Sequence, residues 1–172
     1  ILERRTLAAI QGWVKNGGVL FALGCRPADW DGGRTAFNAL VGLSQDSDEI
    51  QGIPELAVDA PKSLPSIAGL ESVLVTGAFT RISPEAEPLL SMRYAPKGKV
   101  AWKRRLGNGR IYAYYGPMDL RPEEESWMVA HKLPMRFLKD GLQDCINEAV
   151  LKKIPLSLNL DVPDVYLVET TD

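Results

Sequence analysis

Histidine and cysteine are scarce in this chain: His131 is the single histidine, and Cys25 and Cys145 are the two cysteines. So few soft ligands exclude a zinc cage and a disulfide framework, and they leave the redox compartment open. Long apolar runs are missing as well. None approaches the roughly 20 residues needed to cross a bilayer, and the opening Ile1-Leu2-Glu3-Arg4-Arg5 is not laid out as a signal peptide. Neither sign of charge is in excess, with 20 Lys and Arg against 22 Asp and Glu and a formal net charge of −2. A nucleic-acid partner is not expected from such a balance, nor is a membrane partner. The densest basic run, Lys103-Arg104-Arg105, makes a poor phosphate track and reads as a solvated strand face.

Phosphate and metal motifs are also lacking. Gly107-Asn108-Gly109-Arg110 does not follow the Gly-x-x-x-x-Gly-Lys-Ser/Thr pattern and reads as a hairpin turn. Asp46, Asp48 and Glu49 lack the spacing of a calcium loop and read as a solvated acidic loop. Glu123-Glu124-Glu125 suits the first turn of a helix, where carboxylates meet the positive end of the dipole. No metal and no cofactor are expected.

What is present points to one α/β domain. The 172 residues are 45 % apolar and 24 % charged, enough to bury a core. Leu2, Thr6, Leu7, Ile10, Trp13 and Val14 share one helical face. That helix is expected to end near Asn16, at the Gly17-Gly18 cap. Val19 to Leu23 is an unbroken apolar run, as in a parallel strand buried on both faces, and it closes at Gly24-Cys25. A chain that begins inside a buried-faced helix is expected to be a fragment of a longer polypeptide. Arg34 to Leu43 reads as a helix with Phe37, Leu40 and Val41 inward, and Ser44 to Leu70 as an inserted loop.

A β-rich block follows, with strands expected at Val73 to Thr76, Glu87 to Tyr94, Val100 to Leu106 and Arg110 to Tyr115. The last two are joined by a Gly/Asn turn and form a hairpin. Period two puts Tyr112 and Tyr114 on one face and Tyr115 on the other. Beyond it, Asp119 and Pro122 mark a helix start and Pro134 a kink or restart. Phe137, Leu138, Leu142, Cys145, Ile146, Ala149 and Val150 form an apolar stripe. Val165 to Val168 reads as a closing strand.

Two loci carry candidate chemistry. Cys25 stands at the carboxyl end of a buried strand, where reactive groups gather in open α/β sheets, and is the candidate nucleophile. Its only available imidazole is His131, in a predicted helix beside Ala130 and Lys132. Trp30, with Arg26 and Asp29 in the same polar loop, offers an aromatic face beside charge, as a sugar or partner contact requires. Glycoside hydrolysis needs two carboxylates across a cleft, and no pair here can be assigned that role.

The run Trp13-Val14, Gly17-Gly18-Val19-Leu20-Phe21, Gly24-Cys25 resembles the helix–Gly-Gly–strand–elbow unit of class I glutamine amidotransferase-like domains. The run Lys99 to Tyr112, with its Gly107-Asn108-Gly109-Arg110 turn, is similar to a hairpin of the amidotransferase-like domains attached to glycoside hydrolases, the β-galactosidase trimerisation group. With Leu40 to Leu43 and Val73 to Gly77, the resemblance covers about half of the chain. The family's elbow reads Gly-x-Cys-x-Gly, whereas Leu23 and Pro27 stand at the two glycine positions here. Pro27 also removes an N–H that an oxyanion would need. The family's His-x-Glu is absent.

The resemblance implies an α/β fold: a mainly parallel flavodoxin-like sheet flanked by helices, with a β-hairpin extension and with N-terminal strands missing before Ile1. Residues 1–172 form one domain on this reading. The function it implies is a non-catalytic accessory or oligomerisation domain of a carbohydrate-active enzyme, with catalysis residing in a glycoside hydrolase-like parent. Its partners are a neighbouring domain or subunit, a second copy in a homo-oligomer, and carbohydrate. Two alternatives stay open, a Cys25-dependent hydrolase or amidotransferase-like enzyme and a stand-alone carbohydrate- or partner-binding module.

Overall fold

The first helix, α1 (Arg4–Lys15), ends as its Gly-Gly pair dictates. Gly17 takes φ +116°, and its N–H donates to Val14 O at 2.9 Å while the Gly18 N–H donates to Trp13 O at 3.1 Å. These two bonds form a Schellman closure, which satisfies carbonyls the helix leaves unpaired. The computed structural model describes residues 4–23, 33–44, 50–52, 56–69, 77–79, 81–93, 98–116 and 137–150.

Strand β1 (Val19–Leu23) follows α1, and α2 (Gly33–Val41) comes next. The short strands β2 (Ile50–Gly52) and β3 (Leu56–Val58) precede a 3-10 turn at Pro65–Ile67. Then come β4 (Gly77–Phe79), β5 (Glu87–Met92), β6 (Lys99–Leu106) and β7 (Gly109–Tyr114). A π-turn at Phe137–Gly141 leads into α3 (Leu142–Ala149).

The main sheet has the order β1-β7-β6-β5-β3. Among the described strands only β1 and β7 run parallel, with Val19 opposite Arg110 and Leu23 opposite Tyr114. The β7–β6, β6–β5 and β5–β3 pairs are antiparallel. The expectation of a mainly parallel flavodoxin-like sheet is therefore wrong. Connections decide the point. Parallel neighbours need a crossover of a dozen or more residues, whereas a two-residue turn can only fold a strand back. Gly107-Asn108 joins β6 to β7, and the short link after Met92 joins β5 to β6. The β6–β7 hairpin is thus the middle of the sheet and not an extension of it.

Two further corrections concern short strands. The Ser44 to Leu70 stretch, expected to be a loop, holds edge strand β3 and also β2, which pairs with β4 in a separate two-stranded ladder. Three residues are too few to show a period of two. Val73 to Thr76 and Val165 to Val168 lie outside the described residues.

Alternation along the strands fills a core on each face. On one side α1 and α2 cover Ala22, Trp102, Ile111 and Ala113, with Leu7, Val14, Phe37, Leu40 and Val41 packed onto them. On the other, Tyr112, Tyr114 and Ala101 meet Leu64, Ile67, Phe137, Cys145 and Ala149. Tyr112 stacks on Phe21 at 5.0 Å and Tyr114 on Phe137 at 5.2 Å. Tyr115 stacks on Trp102 at 5.2 Å, on the opposite face as expected. The Trp102 indole N–H donates to Val41 O at 2.7 Å, so the largest buried ring is also polar-satisfied.

Trp13 departs from its expected place on the buried face, being 53 % exposed. Leu7 and Val14 occupy the sheet-facing positions, and the Trp13 ring lies over Gly18, where a Cβ would strike it. Thr6 is exposed too, so the inward stripe of α1 is narrower than the sequence pattern.

The carboxyl end of α1 rests on the β6–β7 turn. The Asn108 N–H donates to Lys15 O at 2.9 Å and the Arg110 N–H to Gly18 O at 3.1 Å. Gly107 has φ +60°, and a Cβ there would stand 2.6 Å from Lys15 O. A Cβ on Gly109 would overlap Val14 O and Gly18 O. We expect Gly109→Ala to destabilise the fold by about 3 kcal/mol, because backbone and not a flexible side chain would have to move. A urea unfolding midpoint measures this, with exposed Asn16→Ala as the neighbouring control at less than about 1 kcal/mol.

Candidate functional site

Strand alternation separates the basic run that the sequence places together. Lys103 and Arg105 point to the α3 face with Ala101, while Arg104 points with Trp102 toward α2. The expectation of a solvated strand face fails for two of the three. Lys103 and Arg104 have side chains only 14 % and 12 % exposed. Their stems lie along apolar surface while their heads find acceptors.

Lys103 Nζ reaches Glu148 Oε1 at 2.9 Å and Oε2 at 3.2 Å, and it donates to Ser63 Oγ at 2.8 Å. Glu87 Oε1 stands 3.6 Å from the same ammonium. Arg110 donates from Nη1 to Glu148 O at 3.3 Å and lies 3.8 Å from Oε1. The Tyr112 hydroxyl donates to Glu148 Oε2 at 3.3 Å. One carboxylate in the last turn of α3 thus holds an ammonium, a guanidinium and a phenol. The Arg110 contact with the Glu148 carbonyl also satisfies the helix end, where cations are favoured. Arg104 does the same for α2, donating to Ala39 O at 2.7 Å and pairing with Glu85 at 3.3 Å.

These groups line a groove of about 520 Å³ that takes in Glu85, Glu87, Arg104, Arg105 and the Lys103–Arg110–Glu148 triad. The sheet register opens it. The first β5–β6 pair is Glu87 with Lys103, so β6 runs on past β5 through Arg104, Arg105 and Leu106.

Glu85, Glu87 and Glu148 are each paired with a cation. Burial, reinforced by Glu148 and partly offset by Lys103, pushes the Cys145 thiol up to about 12. A thiol so placed holds no thiolate at neutral pH and is a packing group. Burial likewise raises the Tyr112 phenol to about 12, with the Arg110 hydrogen bond opposing it, and burial alone raises Tyr114 further. Among the described residues no three His, Cys, Asp or Glu side chains gather as a metal site needs. No helix among them is long and apolar enough to cross a membrane.

Cys25, Arg26, Asp29 and Trp30 lie outside the described residues, as do His131 and the Glu123 to Glu125 run. The groove was not anticipated. Lys103 and Glu148 are 45 positions apart, and Glu148 carries no sequence signal beyond flanking the apolar stripe of α3. A second tie, Asp144 to Ser66, was equally hidden. The Ser66 N–H and Oγ donate to the two Asp144 oxygens at 2.9 and 2.7 Å, fastening α3 to the 3-10 turn.

Removing the hub charge should leave Arg110 without its carboxylate and Lys103 with Glu87 alone at 3.6 Å. We expect Glu148→Gln to cost about 2 to 3 kcal/mol, below the range for fully buried pairs because the site is partly wet. Lys103→Met, which removes charge and keeps the stem, should cost less. Denaturant midpoints of the two variants check the order. Alkali supplies a further test. Cys145 and Tyr112 are neutral in the fold with raised pKa values, so their contribution is complete below the unfolded values of 9.0 and 10.0. It is lost as pH rises toward about 12. The urea midpoint should therefore hold steady from pH 7 to about 8.5 and decline above that.

No family model matches this sequence, and no curated protein matches it. Solved structures do. A β-galactosidase from Bacillus circulans sp. alkalophilus superposes at TM-score 0.55 and 12 % identity, over 84 % of this chain and 21 % of the galactosidase. A β-galactosidase from Rahnella sp. R3 gives TM-score 0.55 and 14 % identity, over 94 % and 22 %. A cytoplasmic protein of Salmonella typhimurium gives TM-score 0.55 and 14 % identity, over 87 % and 62 %. The chain spans about a fifth of the length of the two galactosidases, and at such identities the likeness is one of fold. In fold, then, this chain is similar to a minor portion of two glycoside hydrolases and to the greater part of a smaller bacterial protein.

Proposed function

We propose that this chain is a non-catalytic accessory domain of a glycoside hydrolase-like enzyme, and that it packs against a neighbouring domain or subunit, with a homo-oligomer as the assembly. One observation carries the reading: its fold recurs as about a fifth of two β-galactosidase chains. Three features support it. Glu85, Glu87 and Glu148 each pair with a cation of the sheet, as members of a structural charge network do. Leu23 and Pro27 replace the glycines that a Cys25 elbow would need. Cys145, the other thiol, is buried. On this reading residues 1–172 form one domain, and Trp30, Arg26 and Asp29 contribute a contact to the partner surface or to sugar.

The test takes the 172-residue chain itself and measures turnover of p-nitrophenyl β-galactoside, p-nitrophenyl β-mannoside and glutamine. No turnover is expected. Within the longer enzyme, Cys25→Ser should leave activity within about threefold of the unaltered protein. Hydrolysis of any of these substrates by the chain alone, abolished by Cys25→Ser, would replace this reading with a Cys25-dependent enzyme.

A further inference from the structure

The chain is slightly acidic overall, yet within the groove the described residues give Arg105 no counter-ion. The β6–β7 register sets Arg105 directly opposite Arg110. Side chains of such a pair share a face, with Cβ atoms about 4.5–5.5 Å apart, and like charges so placed repel. Arg110 is compensated by Glu148. Glu148 is already divided between Arg110, Lys103 and Tyr112. Arg105 is exposed and lines the groove, and it makes no hydrogen bond or ion pair among the described residues. Elsewhere in the groove charges are matched, Lys103 with Glu87 and Glu148, and Arg104 with Glu85. The surplus positive charge therefore sits at Arg105. A hairpin shaped by its own stability would place a neutral or acidic residue there.

We propose that the groove beside Arg105 and Arg110 is a docking site for a carboxylate side chain presented by a partner protein. The guanidinium fork of Arg105 is matched to a carboxylate, which it can hold by two parallel hydrogen bonds. The second cation, Arg110, stands across the hairpin and strengthens the field at that point. The rim defines the partner further. Glu87 and Glu85 have side chains 59 % and 77 % exposed. They repel a polyanion such as nucleic acid and admit a single carboxylate flanked by neutral or basic groups. The identity of the partner as a neighbouring domain or subunit rests on the accessory-domain reading, while the site itself is a property of this chain.

The probe is the peptide acetyl-Gly-Lys-Glu-Lys-Gly-amide, compared with the same peptide carrying Gln in place of Glu. Binding to the 172-residue chain is followed through the arginine side-chain N–H resonances. The Glu peptide should bind about tenfold tighter than the Gln peptide. Arg105→Gln should abolish that preference, Arg105→Lys should keep part of it, and the distant Lys62→Gln should leave it intact. Melting separates recognition from structure. If Arg105 serves a partner, Arg105→Gln relieves the repulsion from Arg110 and leaves Tm unchanged or raises it by about 1 to 3 °C. Equal binding of the two peptides, a preference that survives Arg105→Gln, or a lowered Tm in that variant would overturn the proposal. The glycoside and glutamine assays of the previous subsection are independent of all three outcomes, so failure here and failure of the accessory-domain reading are told apart.

Discussion

The fold depends on a close approach of backbone to backbone between the end of α1 and the β6–β7 turn. Carbonyls of Val14, Lys15 and Gly18 meet a hairpin whose Gly107 and Gly109 offer no Cβ. The Asn108 N–H donates to Lys15 O in the last turn of α1, and the Arg110 N–H to Gly18 O just before β1. This contact fixes the direction in which β1 leaves α1, and so sets β1 parallel to β7 in its observed register. Once β1 lies there, Leu20 and Ala22 face the α1–α2 core while Val19, Phe21 and Leu23 face the α3 core. The two layers of packing follow from that alternation.

The α3 face is organised differently, through charge as well as apolar burial. Phe137, Cys145 and Ala149 seat the helical segment on the sheet. Asp144 and Glu148, one turn apart on α3, tie it to Ser66 and to Lys103, Arg110 and Tyr112. Partly buried ion pairs of this kind add little net stability over an apolar substitute, since desolvation offsets attraction. Their value is in selecting one seating of a short helix among several that apolar contact alone would permit. The same network leaves a polar groove at the end of the sheet, where β6 extends past β5.

The sheet is covered on both faces, and the thiol and phenols of the α3 core are held neutral by burial. What meets solvent beside the hairpin is a set of compensated charges with one guanidinium in excess.

Local order in this protein is written in local sequence. The Gly17-Gly18 cap, the inward residues Phe37, Leu40 and Val41, and the alternation of Tyr112, Tyr114 and Tyr115 are legible because each depends on neighbours within a turn or a strand period. The apolar run of β1 marks a strand, but not the burial on both faces expected of it, since β1 is an edge strand of the described sheet with only Ala22 buried. The mixed sheet is not legible in the sequence, since strand direction depends on which strands become neighbours and on how short the links between them are. The three-residue strands β2, β3 and β4 are too brief to carry a pattern. The exposure of Trp13 was decided by its neighbour Gly18 and the narrow stripe that the sheet accepts. The groove is the clearest case of all. Lys103 gives no hint in sequence that it will meet Glu148, nor Arg105 that it will face Arg110 across a hairpin. Periodicity assigns a side chain to a face, and only the assembled sheet decides which charges share that face and which is left unmatched.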